Sequence, residues 1–231
     1  MTLEQNLAAI RDRIGNAASR SGRSSDDIFL VAVSKTFPLD AVRRAASAGQ
    51  LDFGENKPQE LQEKASAWRD TPDGFRWHMI GHLQRNKASI VVEHADLFHA
   101  LDSVRLARML DRRCEEAGRS HLDCLVQVNV SGEGSKFGLE PPELGRFLDD
   151  VQEFSRLRVR GLMTLAAPAE DPEDIRPQFA HLRSLAEAAR GSGARLEWLS
   201  MGMSGDFEVA IEEGATHVRV GSAIFGDRSY L

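Results

Sequence analysis

Cysteine is nearly absent: Cys114 and Cys124 are the only two in 231 residues. They show no metal-ligand spacing, and one pair makes no disulfide framework, so a zinc module and a disulfide-stapled secreted domain are both disfavoured. No stretch is long and apolar enough to cross a bilayer, and the opening MTLEQNLAAIRDRI lacks the apolar centre of a signal peptide. Positive charge is not in excess. The 29 Lys and Arg against 35 Asp and Glu leave a net −6, the wrong sign for a general nucleic-acid binder. Linkers, internal repeats and low-complexity segments are missing, and tyrosine occurs once, at Tyr230. Together these absences lead us to expect a cytoplasmic protein with reduced thiols, and a length of 231 residues allows one large domain or two small ones.

What is present is an alternation. Short β-rich runs occur at residues 28–35, 51–56, 75–81, 97–101, 124–130, 157–164, 196–202 and 217–222, separated by amphipathic helical patterns. Pro38 opens one helix and Gly49 stops it, and Ser103 caps another whose Val104, Ala107 and Leu110 keep helical spacing. Thr2 and Gln5 are spaced as a capping box for an additional N-terminal helix. Strict alternation of strand and helix implies a parallel sheet. Eight units in a length close to the usual ~250 residues predict an α/β fold, a single (β/α)8 TIM barrel, with an open doubly wound sheet as the alternative.

In such a barrel the chemistry sits at the carboxyl ends of the strands. The first run, VAVSKTFP, ends on Lys35, which shares a face with Val31 and Val33. A strand-end lysine at the barrel mouth loses hydration, which favours the uncharged amine, and an uncharged amine can attack a carbonyl. After the seventh and eighth strands come SMGMSGD and VRVGSAIFG: Ser204 is a candidate helix N-cap, Gly202 and Gly205 would let an anion approach the backbone, and Gly221 and Ser222 end the eighth strand and lead into a possible helix. Barrels often hold phosphate there. A lysine opposite a phosphate cup suits an aldehyde that carries a phosphate. Pyridoxal 5′-phosphate is one such ligand, and a phosphorylated sugar in a Schiff-base aldolase is another.

Seven blocks occur in order: VAVSKTFP, FGENKPQE, WHMIGHLQRNK, KFGL, GLMT, SMGMSGD and VRVGSAIFG. Together they resemble the YggS/PROSC family of pyridoxal phosphate homeostasis proteins, over essentially the whole chain. The resemblance implies a single barrel domain over residues 1–231, of PLP fold type III, the alanine racemase N-terminal kind. It implies Lys35 holding the cofactor as an internal aldimine, with phosphate on Ser204, Gly205, Gly221 and Ser222. It also implies Arg219 facing the pyridine nitrogen, with Asn56, Met163 and Ser200 lining the ring pocket. An arginine does not readily give up a proton, so the ring would be a weaker electron sink. Racemases of this class draw a second base, a tyrosine, from a further C-terminal domain, and Tyr230 stands alone here. The expectation is therefore a monomer that binds PLP, buffers it or delivers it to apo PLP-dependent enzymes, and has no catalytic residues of its own. A low-activity amino-acid racemase is the alternative.

The remaining signals are weaker. His78 and His82 are four apart but straddle a strand end and Gly81, so no metal site is expected. His217 would point inward below Arg219 and is read as a neutral, hydrogen-bonded core histidine. LQRNK is basic near the mouth, and Lys136 lies in a neighbouring loop.

Overall fold

The structure, a computed structural model, describes residues 2–132, 137–167 and 169–226. Lys136 and Tyr230 lie outside them. The elements follow the alternation. Helix α1 (Leu3–Arg20) precedes β1 (Phe29–Val33), α2 (Leu39–Ser47), β2 (Asp52–Glu55), α3 (Pro58–Ala67), β3 (Arg76–Met79) and α4 (Ala88–His94). Then come β4 (Leu97–Leu101), α5 (Val104–Glu116), β5 (Leu122–Gln127), α6 (Leu144–Val151), β6 (Leu157–Met163) and α7 (Arg176–Gly191). The last units are β7 (Trp198–Ser200), α8 (Phe207–Glu212), β8 (His217–Val220) and α9 (Ser222–Phe225). The eight strands are parallel and form a closed barrel in sequence order. Closure is made by β8 against β1, with Phe29 opposite His217 and Val31 opposite Arg219. An open sheet is thereby ruled out.

Local chemistry explains the boundaries. Thr2 and Gln5 form the expected capping box of α1, and Ser103 Oγ accepts the Leu106 N–H at the start of α5. Pro58 occupies the first turn of α3, where its missing N–H costs nothing. The helices that the sequence suggests near Gln84 and from Pro142 start later, at Ala88 and Leu144, because each is preceded by a single 3-10 turn, Arg85–Lys87 and Pro141–Glu143. Strand β7 is only three residues long; Gly202, at φ 93, takes a left-handed conformation that ends it. Ser204 is not the N-cap of α8. Asp206 stands there, and its carboxylate accepts the Met203 N–H.

The apolar core lies between the barrel and its helices, around Phe53, Phe98, Phe179 and Phe207, all fully buried. Helix α1 buries Leu7, Ile10 and Ile14 and packs on α2, α8 and α9, where Asn6 Nδ2 donates to the Ile224 carbonyl. Inside the barrel the aliphatic layers give way to polar groups: Asp52, His78, His99, Ser200, His217 and Arg219 are all buried. Among the described residues no helix is long and apolar enough to cross a membrane, and no group of His, Cys, Asp and Glu has metal-binding geometry.

Candidate functional site

Lys35 follows β1 directly. Ser34 continues the strand, its N–H donating to the Gly54 carbonyl. Its hydroxyl points outward and donates to Glu55 Oε1 at 2.6 Å. Lys35, half-buried, stands in the turn that follows, two residues past Val33. Thr36 follows at φ 68, a left-handed conformation unusual for a β-branched residue, and its N–H donates to Glu60 Oε2 at 3.0 Å. The backbone turn that carries the lysine is thus held from both sides.

What holds it is a buried cluster that the sequence did not announce. Lys64 of α3 reaches Glu55 Oε1 at 2.6 Å and the Ser34 carbonyl at 2.8 Å. Glu55 is fully buried, and its second oxygen finds no hydrogen-bond partner among the described residues. Burial pushes the Glu55 carboxyl up to about 7, with Lys64 and Ser34 opposing the rise. The charged residue that closes DFGE is the one signal that could have exposed this group, since a buried strand carboxylate requires a partner.

Across the mouth, the loops after β7 and β8 converge. Gly221 N–H donates to Ser204 Oγ at 3.3 Å, and Ser222 Oγ lies 3.3 Å from the same hydroxyl. Gly221 also sits against β1, because a Cβ added there would stand 3.2 Å from the Val33 carbonyl oxygen. The cup therefore borders the end of β1, two residues before Lys35. Gly205 is exposed in the turn, with open space where a side chain would be. Two hydroxyls and an amide in one place, without a carboxylate among them, form a donor set suited to a phosphate.

Arg219 is buried below the mouth, with Nη1 donating to Ser200 Oγ and Nη2 to the Thr164 carbonyl at 2.8 Å. Burial draws its pKa down to about 10, partly offset by Asp206, so it remains cationic at neutral pH. Met163 and Ser200 are buried side by side in the β6–β7 register. Asn56 is half-buried at the end of β2, where Gly81 lets the backbones approach: a Cβ on Gly81 would fall 2.2 Å from the Asn56 carbonyl oxygen. His217 is buried, with Nδ1 2.9 Å from Thr216 Oγ1, and burial holds its pKa well below 6.5. It is a neutral core histidine, as the sequence suggested. His82 stacks on Phe137 at 3.8 Å and pairs with Asp102, far from any shared role with buried His78. Arg85 of LQRNK lines a cleft of about 910 Å³ together with Arg105 and Arg113.

Chain topology and site chemistry define the class: a phosphate-ready (β/α)8 barrel with an amine at the end of its first strand, of the type known as the alanine racemase N-terminal domain, whose family matches residues 5–229. Within that class the chain belongs to the pyridoxal phosphate homeostasis protein family. It is 45% identical to the Escherichia coli K12 protein of that name over 99% of this chain and 97% of that one, and 41% identical to the one from Aquifex aeolicus over 98% of each. Among solved structures it resembles PipY of Synechococcus elongatus with PLP bound, at 36% identity and a TM-score of 0.86, covering 97% of this chain and 100% of that one. The Clostridium difficile alanine racemase shares the fold, with a TM-score of 0.75 at 14% identity, and this chain covers 56% of it.

Proposed function

We propose that this protein binds pyridoxal 5′-phosphate and serves the homeostasis of that cofactor, with Lys35 as the covalent anchor and no robust turnover. The observation that carries the reading is the packing of the hydroxyl and amide cup of Ser204, Gly221 and Ser222 against Val33, two residues before Lys35. Lys35 would hold the cofactor through its uncharged amine, and the bound group would supply an aldehyde, taken up with loss of one water, and a phosphate. The chain supplies the rest. Ser204, Gly205, Gly221 and Ser222 receive the phosphate. Asn56, Met163 and Ser200 bound the ring, and Arg219 faces the pyridine nitrogen.

The family's name supports the homeostatic role, and Arg219 supports the lack of turnover. A guanidinium donates hydrogen bonds without yielding its proton, so the ring nitrogen stays unprotonated and withdraws electrons weakly. The arginines around the 910 Å³ cleft offer a positive approach for an anionic ligand. Delivery to apo enzymes is supported by three exposed apolar side chains, Phe137, Leu165 and Met203, which follow β5, β6 and β7 at the same end of the barrel. We further infer that the protein acts as a monomer.

The test is borohydride reduction of the purified protein in the presence of PLP, followed by peptide mapping. The reduced cofactor should be found on Lys35, and Lys35→Ala should lose both the visible band and the modified peptide. Retention of the same band by Lys35→Ala would sink the assignment. Steady, Lys35-dependent exchange of the α-deuterium of an amino acid over many turnovers would instead make the protein a racemase.

A further inference from the structure

A row of buried polar groups crosses the barrel interior beneath the site. It begins at Asp52, at the start of β2, whose Oδ1 lies 2.9 Å from His78 Nε2. His78 Nδ1 is 2.9 Å from His99 Nε2, and His99 Nδ1 is 2.9 Å from Ser200 Oγ. Ser200 Oγ in turn receives Arg219 Nη1. His78, His99 and Ser200 are 1%, 0% and 0% exposed, so water does not replace these partners. His217 packs beside both histidines but is engaged with Thr216, off the row.

The direction of each bond follows from the chemistry of the two ends. A guanidinium only donates, so Ser200 Oγ accepts from Arg219. A carboxylate only accepts, so His78 donates from Nε2 to Asp52. Burial would raise the Asp52 carboxyl, but His78 and Arg76 outweigh it and hold it below its ordinary 3.8. His99 is neutral, because complete burial keeps its pKa well below 6.5. It therefore has one N–H. Ser200, already accepting, has its own proton to give, and His99 Nδ1 is within reach. The His99 proton then sits on Nε2 and points at His78 Nδ1. Each group donates once toward Asp52, and none is left with two donors or two acceptors face to face.

We propose that Asp52, His78 and His99 are positioning residues for Arg219, forming a one-way hydrogen-bond relay that fixes the orientation of the guanidinium presented to the cofactor's ring nitrogen. The role toward the cofactor rests on the placement of Arg219 at the pyridine ring, proposed above. The relay also explains why histidines, and not aliphatic residues, fill this layer of the barrel. With Nη1 on Ser200 and Nη2 on the Thr164 carbonyl, the guanidinium is held on two sides and its remaining edge has a set direction.

The first measurement needs no cofactor. Nitrogen-15 spectra of histidine-labelled full-length protein near neutral pH should show both His78 and His99 as Nε2–H tautomers. A proton on Nδ1 of either ring, or an imidazolium at either, overturns the direction of the relay. The second measurement uses His99→Phe, which keeps a ring of similar size and removes both contacts, and His99→Gln, which restores a donor near Nε2. PLP should bind His99→Phe on the order of tenfold more weakly, with a shifted visible band, and His99→Gln should recover part of both. Wild-type affinity and spectrum in His99→Phe overturn the positioning role. Should that variant fail to fold, Asp52→Asn, which keeps an acceptor but loses the charge, decides in its place: an unchanged band and affinity overturn the role. A protein that binds no PLP in any form refutes the proposed function, while the tautomers still decide the relay.

Discussion

A carboxylate on the outer face of a barrel strand has to find its cation across the sheet–helix interface, and Glu55 finds Lys64 at 2.6 Å. Lys64→Met should leave that buried charge uncompensated and cost roughly 3–5 kcal/mol at pH 8, read by urea unfolding, with a smaller loss in mild acid. The sign follows from linkage. The folded carboxyl holds its proton up to about pH 7, whereas the unfolded one loses it near 4.5. As pH rises through that window the unfolded chain ionises first, so the contribution of this group to stability is fully present below pH 4.5 and lost as pH passes 7. Glu55→Gln should flatten stability across the same window, and an unchanged slope would show that another group sets it. Gly81 matters at the same scale. Its Cβ would meet the Asn56 carbonyl oxygen at 2.2 Å. Gly81→Ala should thus cost about 2 kcal/mol or more in thermal unfolding and also weaken PLP binding by displacing Asn56.

At the scale of elements, the alternation of strand and helix was plain in the sequence because parallel barrel strands are buried on both faces and read as apolar runs. CLVQVNV and LFHAL announce β5 and β4 for that reason. β7 was harder: LEWLSMG has strand character throughout, yet Gly202 turns the chain after Ser200, and only backbone geometry shows it. Ser204 looked like a cap by residue type, but its hydroxyl is taken by Gly221 and Ser222, and Asp206 fills the vacancy. Lys35 and the glycine and serine loops after β7 and β8 were picked out by position, whereas Asn56, Met163 and Ser200 came only from the family resemblance. The buried partners behind them, Lys64, His99 and Asp52, were not legible, because side-chain contacts between distant elements leave no periodic trace. The close approach of β6 to β7 belongs here too. A Cβ on Gly161 would lie 1.8 Å from the Trp198 carbonyl oxygen. Gly161→Ala should lose more than about 3 kcal/mol, since backbone and not a flexible side chain must move; a melting temperature equal to wild type would disprove the packing.

Over the whole molecule, the barrel is sealed by the pairing of its first strand with its last, Phe29 with His217 and Ala32 with Val220. A chain stopped after Glu213 keeps seven strands but leaves both edges of the sheet unpaired. It should show weak near-ultraviolet circular dichroism and bind hydrophobic dyes, whereas a native spectrum from that fragment would mean that closure is dispensable.

Closure also sets a timetable for biosynthesis. β1 leaves the ribosome early, but the partner for its free edge is made roughly 190 residues later, which at about 5–20 residues per second is a delay on the order of ten seconds or more. Through that interval FLVAV presents an unpaired, aggregation-prone strand. The strand end that leads to the lysine is likewise without Gly221, which later packs on Val33. A nascent chain in this state is a natural client for a chaperone, and it gains the finished phosphate cup only when the final strand arrives.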